Sequence, residues 1–196
     1  MEPISSQRIL VIDDEPAMHA DFRAVLAGDG LAEADSNLDQ LEASMFGQDL
    51  RQAREGFEIE SAHQGIEGLE LARAALAGRR PFTVAFVDMR MPPGWDGLRT
   101  VKELWRLDPR LQVVICTAYS DHSWPEMLRE LEPQEGLLVV KKPFDPIEIW
   151  QAAASLGAHW ALARQNEETI CGLQRELDAC ANMLHQIRAS PPRQSA

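Results

Sequence analysis

The sequence predicts an α/β protein: a doubly wound, five-stranded parallel sheet with a long C-terminal helix that extends into a coiled coil. Three observations carry this. Short β-branched apolar runs alternate with segments of helical periodicity, the pattern of a parallel sheet covered by helices. Polar residues fall where four of those runs end. The C-terminal segment repeats apolar residues at alternating spacings of three and four. With 196 residues, 45% of them hydrophobic, the chain can bury one sizeable core and carry a small appendage.

Arg8-Ile9-Leu10-Val11-Ile12 is a continuous run that stops at Asp13-Asp14-Glu15-Pro16, as a strand buried on both faces would. Pro16 suits the first turn of a helix whose apolar positions Met18, Phe22, Val25 and Leu26 continue until Gly28 and Gly30. Residues 57–62 alternate apolar and acidic side chains, as an edge or half-buried strand does, and residues 66–76 have helical period. Residues 82–87 form the next buried strand, ending at Asp88, and residues 98–107 the next helix. Residues 111–117 read as a strand, 126–131 as a short helix, and 137–140 as the last strand. Right-handed crossovers then place all five strands in one sheet.

In this architecture ligands bind beyond the carboxyl ends of the strands, where strand order reverses. Asp13 and Asp14 close the first strand, Asp88 the third and Thr117 the fourth, and Lys142 follows the fifth. Random polar loops would not converge in this way.

Two segments exceed the five-unit pattern. Residues 29–56 are an insertion, because an α/β connection usually needs only about 2–6 residues. Leu38, Leu41, Met45 and Phe46 follow Ser36, a candidate N-cap, at helical spacing, so a short amphipathic helix is expected there. A partner-binding surface is the alternative. The other segment places Ile170, Leu173, Leu177, Cys180, Leu184 and Ile187 on a heptad seam. Residues 1–157 are thus one domain, 158–189 a coiled-coil helix, and 190–196 a flexible tail. An amphipathic helix folded back on the domain would show the same periodicity.

A net charge of −12 disfavours direct contact with nucleic acid, which draws on clustered Lys and Arg. Cys116, Cys171 and Cys180 are odd in number and widely spaced, which fits a reducing cytoplasm. No signal peptide or membrane span is evident, and no membrane association is expected.

The strand-end residues match one chemistry. A carboxylate accepts a phosphoryl group only if charge on the moving oxygens is neutralised and the geometry held. Magnesium does this with oxygen ligands and retained waters, so carboxylates from adjacent loops suffice, and Asp13, Asp14 and Asp88 provide them. Thr117 offers a hydroxyl and Lys142 an ammonium for the remaining phosphoryl oxygens. The Lys142-Pro143 bond is a candidate for the cis isomer, which would aim the lysine inward, although most such bonds are trans. Singly, the Asp pair could cap a helix, Asp88 could open a turn and Lys142 could be surface charge. Their joint order favours the phosphoryl reading.

Residues from about 7 to 157 resemble the receiver domains of bacterial two-component response regulators, which share the CheY-like, flavodoxin-like sheet. Ile9-Leu10-Val11-Ile12-Asp13-Asp14-Glu15-Pro16 resembles their acidic pair, and Val87-Asp88-Met89-Arg90-Met91-Pro92 their phosphoacceptor segment. Cys116-Thr117-Ala118 is similar to their switch segment, and Lys142-Pro143-Phe144 to their lysine segment. The resemblance implies that Asp88 becomes an aspartyl phosphate, supplied by a histidine kinase or histidine phosphotransfer protein. It also implies magnesium held by Asp13, Asp14, Asp88 and the Arg90 backbone carbonyl, with Asp13 acting partly through water.

The chain departs from that pattern in two places. One extra residue between Asp88 and Asp96-Gly97 predicts an enlarged loop at Pro93-Gly94-Trp95, and Val139 stands where many receivers carry a switching aromatic. Tyr119 is a candidate substitute gate or a rim residue. By resemblance, Arg90 and Tyr119 also occupy positions that tune the lifetime of the phosphorylated state. The leading function is a phosphoryl-controlled module, not an enzyme, that signals through a homodimer of its C-terminal helix. Such receivers often precede an output domain; none is present in these residues, so output would lie in a further segment or a partner. A phosphorylation-independent scaffold and an aspartate-nucleophile phosphohydrolase are the alternatives. The second usually shows D-x-D at the first strand, whereas Asp13 and Asp14 are adjacent.

Overall fold

A computed structural model describes residues 7–27, 57–118, 131 and 136–189. The helix expected in the insertion, Tyr119, most of the helix expected at 126–131, and the tail lie outside these residues; Leu131 itself is helical and buried. The chain divides into two compact units, Met1–Trp160 and Ala161–Ala196.

The first unit is built on strands β1 (Arg8–Ile12), β2 (Glu58–Ala62), β3 (Val84–Asp88), β4 (Gln112–Thr117) and β5 (Leu137–Lys141). They form one sheet of order β2-β1-β3-β4-β5, every pair parallel. The interleaved helices are α1 (Pro16–Leu26), α2 (Gly65–Ala77) and α3 (Gly97–Leu107), and α4 (Pro146–Ala189) follows β5. The expected doubly wound sheet and long C-terminal helix are therefore present. Strand order reverses between β1 and β3, which makes the crevice above these two strands the place for a ligand.

The period of two sorts the strand residues onto two faces. Leu10, Ile12, Ala85, Val87, Val113 and Ile115 join Ala72 and Ala75 of α2 and Leu98, Val101 and Leu104 of α3. Ile9, Val11, Val84, Phe86 and Val114 face the other way, onto Phe22 and Leu26 of α1 and Ile149, Ala152 and Ala153 of α4. Each fully buried Val, Leu, Ile or Phe among them stabilises the fold by about 1.5–3 kcal/mol. Both faces are covered, which is why β1, β3 and β4 read as continuous apolar runs.

β2 lies at the sheet edge and is half-buried, as its alternation predicts. Its acidic residues also explain a charge inside a buried strand. The Arg8 guanidinium pairs with Glu60, donates to the Arg80 carbonyl and lies 3.2 Å from Glu58. Asp96 caps α3, its side chain accepting the Arg99 amide at 2.8 Å. Gly97 follows because the chain passes too close to β3 for a side chain: a Cβ there would lie 2.5 Å from the Asp88 carbonyl oxygen.

α4 is one continuous helix of 44 residues. Ala152 and Ala153 in its first turns are buried, whereas Leu162, Ile170, Leu173, Leu177 and Met183 are exposed. Among the described residues no helix is long and apolar enough to cross a membrane.

Candidate functional site

The turn after β1 is held at every polar atom of Asp13. Its amide donates to the Ala62 carbonyl at 3.1 Å, continuing the ladder to β2. Its Oδ1 accepts the Glu15 amide at 2.9 Å, and its Oδ2 accepts Lys142 Nζ at 2.7 Å. Its carbonyl accepts His19 Nε2 at 2.7 Å. Asp14, the next residue, is half-buried.

Asp88 closes β3 across the crevice. Its Oδ1 accepts Lys142 Nζ at 2.5 Å, and its Oδ2 accepts the Arg90 amide at 2.7 Å. Lys142 is carried to this point by β5, and its own amide donates to the Thr117 carbonyl at 2.8 Å. The Lys142-Pro143 and Pro92-Pro93 bonds are both cis. One ammonium thus bridges two buried carboxylates that lie far apart in sequence. Thr117 is buried at the end of β4, its hydroxyl donating to the Ala118 carbonyl at 3.0 Å.

Two carboxylates share one lysine, so the pocket carries surplus negative charge. Burial pushes the Asp88 carboxyl above the usual carboxylate range and the Asp13 charge adds to this, despite the Lys142 hydrogen bond and charge and the Arg90 amide. Burial alone would lower Lys142, but its bonds to Asp13 and Asp88 and their charges overcome it and hold the ammonium above its ordinary value. Burial raises the Cys116 thiol, which makes it an inert core residue. A surplus of this kind fits a hard divalent cation. Among the described residues no three His, Cys, Asp or Glu side chains converge as a cage.

The loop after β3 holds Pro93-Gly94-Trp95. Gly94 turns back through its amide to the Met91 carbonyl at 3.0 Å, and a Cβ there would lie 2.0 Å from Gln64 Oε1. Trp95 lies under the Arg99 guanidinium, 4.4 Å from ring centroid to cation. Val139 is half-buried and pairs with Ile115 in the β4–β5 register.

Residues 39–154 match the family model of the response regulator receiver domain. The chain belongs to that family. The match starts after β1 and α1, yet the structure places β1 in the sheet between β2 and β3 and packs α1 on one face of it. The receiver is 31% identical over 99 residues to sporulation initiation phosphotransferase F of Bacillus subtilis, covering 50% of this chain and 73% of that protein. A CheY-like receiver structure from Methanospirillum hungatei is similar in fold, with a TM-score of 0.56 at 17% identity over 80% of this chain and 98% of that one. An adenylate cyclase structure from Rhodopirellula baltica gives 0.59 at 21% identity, covering 84% and 96%.

Sequence reasoning passed over His19 and Gln64. Neither belongs to a motif of the receiver pattern. His19 had one available signal: a histidine in the first turns of the helix that directly follows an acidic pair.

Proposed function

We propose that this receiver accepts a phosphoryl group on Asp88, with magnesium, from a histidine kinase or histidine phosphotransfer protein. The observation that carries the reading is Lys142 Nζ bonded to both Asp13 and Asp88. Asp13, Asp14, Asp88 and the Arg90 carbonyl are the residues that would hold the cation. When bound, the cation supplies neutralising charge to the phosphoryl oxygens.

The residues divide the remaining work. An Asp88 carboxylate oxygen attacks phosphorus, and the bond to the donor breaks with its electron pair leaving on the donor. The Arg90 amide keeps Asp88 Oδ2 oriented. Lys142, already at Asp88 Oδ1, takes the nearest new phosphoryl oxygen, and Thr117 at the end of β4 is the hydroxyl donor. The product is a stoichiometric acyl phosphate rather than a turned-over substrate.

The output reading rests on α4. Ile170, Leu173 and Leu177 follow heptad spacing and are each more than half exposed in one chain, which favours burial against a second copy. The phosphoryl state would bias how the two helices pair. Treatment with acetyl phosphate and magnesium, read by mass, tests the chemistry: one phosphoryl group on wild type and none on Asp88→Asn is expected. Beryllofluoride followed by sedimentation under reductant tests the output. Unmodified wild type would overturn the first reading, and assembly indifferent to beryllofluoride the second.

A further inference from the structure

At Asp13, three of the four hydrogen bonds belong to the strand ladder, the turn or the lysine; the fourth comes from His19. A carbonyl only accepts, so His19 Nε2 bears the proton and donates it across 2.7 Å. His19 is 5% exposed, and among the described residues its buried Nδ1 has no hydrogen-bond partner. His63, from the end of β2, backs the ring edge-on, with centroids 4.6 Å apart and planes at 73°. Packing alone does not account for this residue, because a leucine would fill the same place without an unbonded buried nitrogen. What the imidazole adds is the Nε2 proton.

We propose that His19 is a positioning residue for the cation site. Its bond to the Asp13 carbonyl fixes the plane of the Asp13-Asp14 peptide, and with it the root of the Asp14 side chain. The Glu15 amide on Asp13 Oδ1 fixes the next peptide, so the two bonds together define the turn that presents the acidic pair. This is the outer-shell arrangement that orients a ligand without touching the ion. It rests on reading the acidic pair as a magnesium site.

The test compares wild type, His19→Leu and His19→Gln. In metal-free protein, His19→Leu is expected to speed hydrogen exchange at the Glu15 amide, and calorimetry with magnesium chloride to show affinity lowered about tenfold. His19→Gln keeps an N–H donor and is expected to recover most of both. In wild type, nitrogen-15 spectra should show a slowly exchanging His19 Nε2 proton, a readout that needs no variant to fold. Wild-type exchange and affinity in His19→Leu, or the absence of that protected proton, would overturn the proposal. If wild type itself binds no magnesium, the function proposed above fails, while the metal-free exchange data still decide the role of His19.

Discussion

Lys142 Nζ lies 2.5 Å from Asp88 Oδ1, a contact between residues 54 positions apart that places the only ammonium among these bonded groups directly on the carboxylate proposed to accept phosphate. The same nitrogen holds Asp13 at 2.7 Å, so the lysine sets the electrostatic balance of the whole crevice.

Removing that charge leaves Asp13 and Asp88 facing each other unneutralised. Lys142→Gln should therefore lower stability in metal-free buffer at neutral pH by about 3 kcal/mol, the low end for a broken buried pair because the lysine keeps some solvent contact. The corresponding fall in Tm is roughly 5–10 °C, measured by calorimetry. Magnesium should restore part of it. An unchanged Tm would mean that the carboxylates do not repel.

Asp88→Asn should behave in the opposite sense. Burial raises the native carboxyl above its unfolded value, so the native state binds the more protons and wild type loses stability as pH rises through that interval toward neutrality. The asparagine variant lacks this slope. Its stability relative to wild type should increase from below the ordinary carboxylate range to pH 7 in metal-free denaturation series. Magnesium at a hundredfold excess over its dissociation constant should stabilise wild type by about 2.7 kcal/mol, and the variant by much less.

Gly97 sets the approach of α3 to Asp88, the proposed phosphoacceptor. A Cβ there would lie 2.5 Å from the Asp88 carbonyl and 2.9 Å from Met89 Cα, both backbone atoms that cannot swing aside. Gly97→Ala should destabilise by about 1–3 kcal/mol in urea and slow phosphoryl uptake from acetyl phosphate, because the strand end carrying Asp88 must shift. Normal uptake with normal stability would count against so tight an approach.

The exposed seam of α4 yields a prediction independent of the site. Leu173→Glu with Leu177→Glu should abolish self-association in sedimentation under reductant, since two leucines per chain withdraw at least about 3 kcal/mol of apolar burial, more than a hundredfold in dissociation constant. Phosphoryl uptake should persist. Equal sedimentation of variant and wild type would remove the seam from the interface.

The sequence by itself determined the sheet, its order of elements and the four strand ends on which Asp13, Asp88, Thr117 and Lys142 stand. For Asp13, Asp88 and Thr117 that was legible because β1, β3 and β4 are covered on both faces, so a polar residue closes each apolar run at its carboxyl end. The alternation around Glu58 and Glu60 likewise marked β2 as an edge or half-buried strand, and it is both. Only the tertiary structure decided how those ends meet. Lys142 chooses Asp13 and Asp88 as its partners, Arg90 contributes its amide to Asp88, and His19 reaches the Asp13 carbonyl. None of these is periodic in sequence, because each depends on separations of a few ångströms set by packing across the β1–β3 crevice rather than by spacing along the chain.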